Sequence, residues 1–111
     1  MGVSYCAVRE GIPNYDTNFS GADLLAWVYQ WAGLKVQAHP HPRDTPRLPR
    51  SATGEEATRA AQVLAQLSDA RYAEVAERHQ SLFVGGVSEL KQIVAEWIVF
   101  LLASNGYQEQ L

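Results

Sequence analysis

The sequence predicts an all-α protein, a small three- or four-helix bundle with an extended N-terminal arm and a proline-rich connector. Three observations predict it. Apolar residues recur at helical spacing in three stretches; capping signatures stand before two of them; and the pairs Gly85-Gly86 and Asn105-Gly106 bracket the third. The chain has 111 residues, the size of one domain, with 47% hydrophobic and 19% charged residues, a globular balance. One helical domain over 1–111 is therefore expected.

Residues 1–19 read as an arm. VSYCAV is short and weakly β-like, and Gly11, Pro13, Asn14 and Asn18 punctuate a loop after it. An arm carrying Tyr5, Tyr15 and Phe19 needs an apolar surface to lie on.

A first helix is expected within 20–38, running roughly from 21 to 32 and at most to Gln37. Ser20 stands three residues before Asp23, an acidic variant of the capping box. Leu24, Trp27, Val28 and Trp31 then stand at i, i+3, i+4 and i+7, one apolar face. Gly33 suits the left-handed position after the helix, and Leu34 the contact that goes with it.

Residues 39–52 form the connector. HPHPRDTPRLPR holds four prolines, which remove backbone donors and restrict their neighbours, so a stiff polyproline-like segment is expected. It also concentrates positive charge: Lys35, Arg43, Arg47 and Arg50 are opposed only by Asp44 over residues 35–50. Acidic residues outnumber basic ones over 51–111, so an arginine-bearing loop sits beside an acidic helical body.

Residues 53–83 read as one long helix or two kinked ones. TGEE is a capping box, Thr53 with Glu56. Ala57, Ala60, Ala61, Leu64, Leu67, Tyr72, Val75, His79 and Leu82 form one apolar stripe, while Ser68-Asp69 offers a second start. Glu55 with Arg59 and Glu74 with Arg78 are placed for ion pairs on the wet side.

The last helix, 88–104, contains IVAEWIVFLLA with Glu96 as its one charge. At about 100° per residue, Leu90, Ile93, Val94, Trp97, Ile98, Phe100 and Leu101 cover an arc of roughly 160°, enough to face a core. Ala95, Val99 and Leu102 make a second stripe on the back. A membrane span needs about twenty apolar residues, more than this run has. Two readings remain: a central helix covered by the rest of the chain, or a back face that lies on another chain. The small size of the domain favours the second.

No phosphate-binding, dinucleotide, zinc-protease, CxxC or nucleophile-elbow motif occurs. Cys6 is the only cysteine, which fits a reducing compartment. The N-terminus lacks a signal-peptide pattern, the residues after Gly2 do not suit a lipid anchor, and the sequon at Asn18 is expected to be unused. The expected home is the cytoplasm. His39 and His41 flank Pro40 without a clear set of further ligands, so no metal or cofactor is expected. His79 on an apolar face reads as a satisfied core or interface side chain. Glu96 reads as a rim residue, and no pair of carboxylates converges for acid–base work.

YAEVAERHQSLFVGGVSELKQIVAEW echoes a helix-turn-helix. Its connection is long and apolar, however, and its second helix offers only Lys91 and Gln92 to a groove. A net charge of −3 also argues against nucleic acid. The sequence therefore points to a non-enzymatic, protein-binding regulator of the bacterial antiactivator, immunity or antitoxin, or phage-encoded inhibitor type. Its expected partners are a second copy of itself and another protein such as a transcription factor or toxin. Ala95, Val99 and Leu102, with Arg43, Arg47, Arg50 and His79, are the candidate contact residues; the alternative is a helix-turn-helix DNA-binding regulator.

Overall fold

A computed structural model describes residues 2–37, 46–79 and 86–110. They form four strands and four helices in the order β1 (Gly2–Ala7), β2 (Tyr15–Asn18), α1 (Phe19–Trp31), β3 (Ser51–Thr53), α2 (Gly54–Ala65), α3 (Asp69–Arg78), α4 (Val87–Ser104) and β4 (Gly106–Gln110). The strands make one antiparallel sheet, β2-β1-β4-β3. The fold is therefore mixed α/β, and the expected all-α helical bundle is wrong.

The sheet has one dry face and one wet face. Antiparallel pairing sets Tyr5 opposite Tyr15 and Glu109, and Ala7 opposite Tyr107, which in turn faces Ala52. Val3, Tyr5 and Tyr107 on that side are buried. The other side pairs Ser4 with Asp16 and Gln110, and Cys6 with Gln108, all short or polar residues. Ser4 Oγ donates to the Asp16 carboxylate, and Asn14 Nδ2 donates to Gln110 Oε1 at 3.0 Å. This alternation is what a sheet covered by helices on one side requires.

The expected segments stand in some places and are corrected in others. The arm over 1–19 is a hairpin, β1 with β2, whose Tyr5 and Tyr15 find their apolar support in Trp97, at ring distances of 5.2 and 4.9 Å. The first helix stops at Trp31, close to the expected end. Its cap is Asn18, whose side chain accepts from Gly21 N at 2.7 Å, instead of Ser20. Gly33 (φ 78°) closes it as expected: Gly33 N donates to Gln30 O and Leu34 N to Tyr29 O, the paired bonds of a left-handed C-terminal turn. Within α1, burial is not confined to the Leu24–Val28 side, since Ala22, Leu25, Ala26 and Tyr29 are buried as well. A helix apolar on most of its circumference belongs inside a domain.

The end of the 39–52 connector runs into β3. The described part of the segment 53–83, residues 53–79, holds two helices, separated after Ala65 and restarted by Ser68, which caps Arg71 N at 3.2 Å. The Thr53–Glu56 capping box is present, with bonds of 2.9 and 3.1 Å. Glu74 pairs with Arg71 instead of Arg78. The last helix begins at Val87, one residue before the expected start, and takes no side-chain cap.

Asn105-Gly106 ends α4 as expected, but by reversing the chain into a strand. Asn105 is left-handed (φ 56°) and Gly106 has φ 103°. A Cβ at Gly106 would lie 2.6 Å from the carbonyl oxygen of Ala52, so glycine is required by both backbone angle and space. β4 then enters the middle of the sheet. Helices α2 and α4 pack along each other over β4, α1 lies by β1 and β2, and α3 sits on α1 and α4. None of the helices among the described residues is long and apolar enough to cross a membrane.

Candidate functional site

The most distinctive surface is the outer side of α4. Trp97, Val94, Leu90 and Leu101 turn inward and are fully buried, with Ile93 and Ile98 at the margins of the core. Ala95, Glu96, Val99 and Leu102 face outward. Val99 is 67% and Leu102 54% exposed. Burying such side chains fully is worth about 1.5–3 kcal/mol each, so water contact forgoes a substantial gain. Val8, 62% exposed, stands by the C-terminal end of this helix, because Val8 N and Arg9 N donate to Gly106 O and Ser104 O. Toward its N-terminal end the helix is polar: Lys91 Nζ meets Asp69 Oδ1 at 2.8 Å. Glu96 neighbours Tyr15, whose pKa is pushed up to about 12 by burial first and by that carboxylate second.

A second cluster joins α1 to α3. Trp27 stacks on His79 with ring centroids 4.2 Å apart, and Trp31 Nε1 donates to His79 Nε2 at 3.3 Å. The guanidinium groups of Arg71 and Arg78 lie 5.5 and 5.7 Å from the Trp31 ring centre, within cation–π range. His79 must be neutral at Nε2 to accept the Trp31 bond. Its pKa is lowered by desolvation, then by the Arg78 charge.

That shift fixes the sign of a pH effect. A lowered pKa in the folded state means that the unfolded chain binds the proton more readily. The stability due to neutral His79 is thus complete above the ordinary value of 6.5 and is lost as pH falls through the lowered one. The melting temperature of the wild type is expected to be flat between about pH 7 and 8 and to drop as pH falls below about 6.5. His79→Gln should flatten that slope, and an unchanged slope in this variant would assign the drop to other groups.

The predicted contact residues occupy separate places. Ala95, Val99 and Leu102 share one helix face. His79 belongs to the α1–α3 cluster. Arg47 is half-buried and exchanges two backbone bonds with Gln37, at 2.8 and 2.9 Å. Arg50 is exposed just before β3, and its carbonyl accepts from Glu109 N. Arg43, like His39, His41 and Leu82, lies outside the described residues. No hydrogen bond or ion pair among the described residues joins Arg47 or Arg50 to the α4 face.

Sequence reasoning missed the pairing of Arg71 and Arg78 with Trp31. Their spacing was the available signal: positions seven apart stand on one side of a helix, as do Trp27 and Trp31 four apart. Among the described residues, no three His, Cys, Asp or Glu side chains are grouped to hold a metal ion. Comparison of the chain with protein-family models, curated protein sequences and solved structures gives no match.

Proposed function

We propose that the protein is a non-enzymatic regulator that pairs with a second copy of itself through the outer face of α4 and sequesters a partner protein. The exposure of Val99 and Leu102 beside Ala95 carries this reading. The stripe is self-complementary. A two-fold axis passing beside Val99 sets Ala95 of one copy against Leu102 of the other, a small residue against a large one, twice over. Closed dimers with such isologous contacts are the commonest soluble oligomers. Small domains also gain most from added burial, because their own cores are limited.

The partner surface we assign to the arginines Arg47 and Arg50, since arginine is favoured at energetically important contacts. An antiactivator, an immunity or antitoxin protein and a phage-encoded inhibitor all work in this way, by occupying a transcription factor or toxin. A cytoplasmic location suits the exposed free thiol of Cys6. On the outer side of α4, the one cation, Lys91, is already paired with Asp69, which supports a protein surface over a DNA surface.

Light scattering at micromolar concentration is expected to give twice the chain mass of 12.3 kDa for the wild type. The double variant Val99→Glu/Leu102→Glu should run as a monomer. Its melting temperature should fall only by the share that dimerisation supplied, because both positions are exposed in the single chain. A monomeric wild type under these conditions rules the dimer out.

A further inference from the structure

A cleft of about 560 Å³ opens between the end of α1 and the β3–α2 corner. It owes its existence to two local features. The left-handed turn at Gly33 ends α1, so residues 34–37 leave along a new direction instead of continuing the helix. The side of α2 that faces the gap carries Ala57 and Ala60, whose side chains are too short to fill it. Ala32, Leu34, Ala52 and Val63 extend this apolar wall, and Gln37 and Ser51 add polar groups to the lining. The volume lies within the ~300–1,000 Å³ usual for small-molecule sites.

Three charged side chains line this cleft: Lys35, Glu56 and Arg59. The Glu56 carboxylate is committed to the capping box, where it accepts from Thr53 N at 2.9 Å. Neither Lys35 nor Arg59 makes an ion pair with a described residue. The cleft thus combines an apolar wall with two cations and one carboxylate that Lys35 helps to keep charged, an excess of one positive charge in its lining. An inorganic anion would leave the apolar wall wet, and a plain hydrocarbon would leave that excess charge unanswered. We propose that the cleft binds a small organic carboxylate with an aliphatic body, its head on Lys35 and Arg59 and its chain on the alanine-lined wall. No residue of α4 lines it, so this site stands or falls independently of the dimer face.

The test is an NMR titration of the full chain with decanoate below its micelle concentration, with decan-1-ol and acetate as controls. Decanoate is expected to bind saturably at one site, with shifts concentrated at residues 32–37 and 57–63. Decan-1-ol and acetate should each bind at least about tenfold more weakly. Lys35→Glu/Arg59→Glu should weaken decanoate by at least about tenfold without unfolding the chain, since both positions are exposed. Val63→Trp should block the cleft; if that variant does not fold, the charge reversal still decides. The proposal is overturned by non-saturating shifts, by equal binding of decan-1-ol, or by a charge reversal without effect. Binding of an acidic leucine-containing peptide in place of decanoate would likewise overturn it.

Discussion

A chain cut after Asn105 is expected to lose cooperative folding altogether. The missing residues are few and mostly polar, but they include β4, which pairs with β1 on one side and β3 on the other. Removing it leaves β3 without a sheet partner and opens the second edge of β1. It also removes Tyr107, which is 2% exposed, lies edge-on to Tyr5 and Trp97 at 5.4 Å each, and donates its hydroxyl to Pro49 O at 2.9 Å. Loss of one large buried aromatic costs about 3–5 kcal/mol. The total stability of a domain is about 5–15 kcal/mol, so the added loss of two strand pairings exceeds what remains. Circular dichroism should show a broad, non-cooperative melt, and a hydrophobic dye should bind strongly. A sharp melt within about 10 °C of the full chain would mean that the helices hold the fold without the sheet.

Trp97→Ala should produce the largest effect of any single substitution. Trp97 is fully buried, with Tyr15, Tyr5, Phe100 and Tyr107 around it at ring distances of 4.9 to 5.4 Å. Its indole N–H donates to the hydroxyl of Tyr29 at 2.9 Å, which ties α4 to α1. Truncation to alanine leaves a large cavity where sheet and helices meet, at about 3–5 kcal/mol. For a domain of this size, that corresponds to a fall in melting temperature of roughly 15–25 °C. Trp97→Phe keeps most of the packing and loses the hydrogen bond, so about 1–2 kcal/mol is expected. Thermal melts of the two variants separate cavity from hydrogen bond. A Trp97→Ala melt within a few degrees of wild type would remove Trp97 from the centre of the core.

The helices were legible because their signals are local. Thr53 with Glu56, Gly33 with Leu34 and Asn105-Gly106 each act within one turn, and the two stripes of α4 come from angle alone. Of the strands only β1 left a signal, the weakly β-like VSYCAV, and the reasons are visible in the residues of the others. β2 reads YDTN and β3 reads SAT, too short for alternation to rise above chance. β4 reads GYQEQ, and its one large apolar residue, Tyr107, is the only sign of a buried face. A strand of a one-sided sheet puts every second residue in water, and here those residues are Ser4, Asp16, Gln108 and Gln110. Such strands are stabilised by cross-strand pairing, and the pairing that holds the middle of the sheet, β1 with β4, spans about a hundred residues, which no local window contains. The exposed stripe of α4 was found from the wheel. The Trp31 cluster was not, because it depends on how α3 docks on α1.

The central place of β4 has a consequence for how the protein is made. β1 leaves the ribosome about a hundred residues ahead of β4, its inner neighbour in the sheet. At about 5–20 residues per second, translation separates the two by roughly 5–20 s. During that interval the β1–β2 hairpin can form while the edge of β1 that will receive β4 stays open to other chains. The nascent protein is thus most vulnerable to aggregation just before β4 emerges, and slowing the codons of β4 would lengthen that exposure.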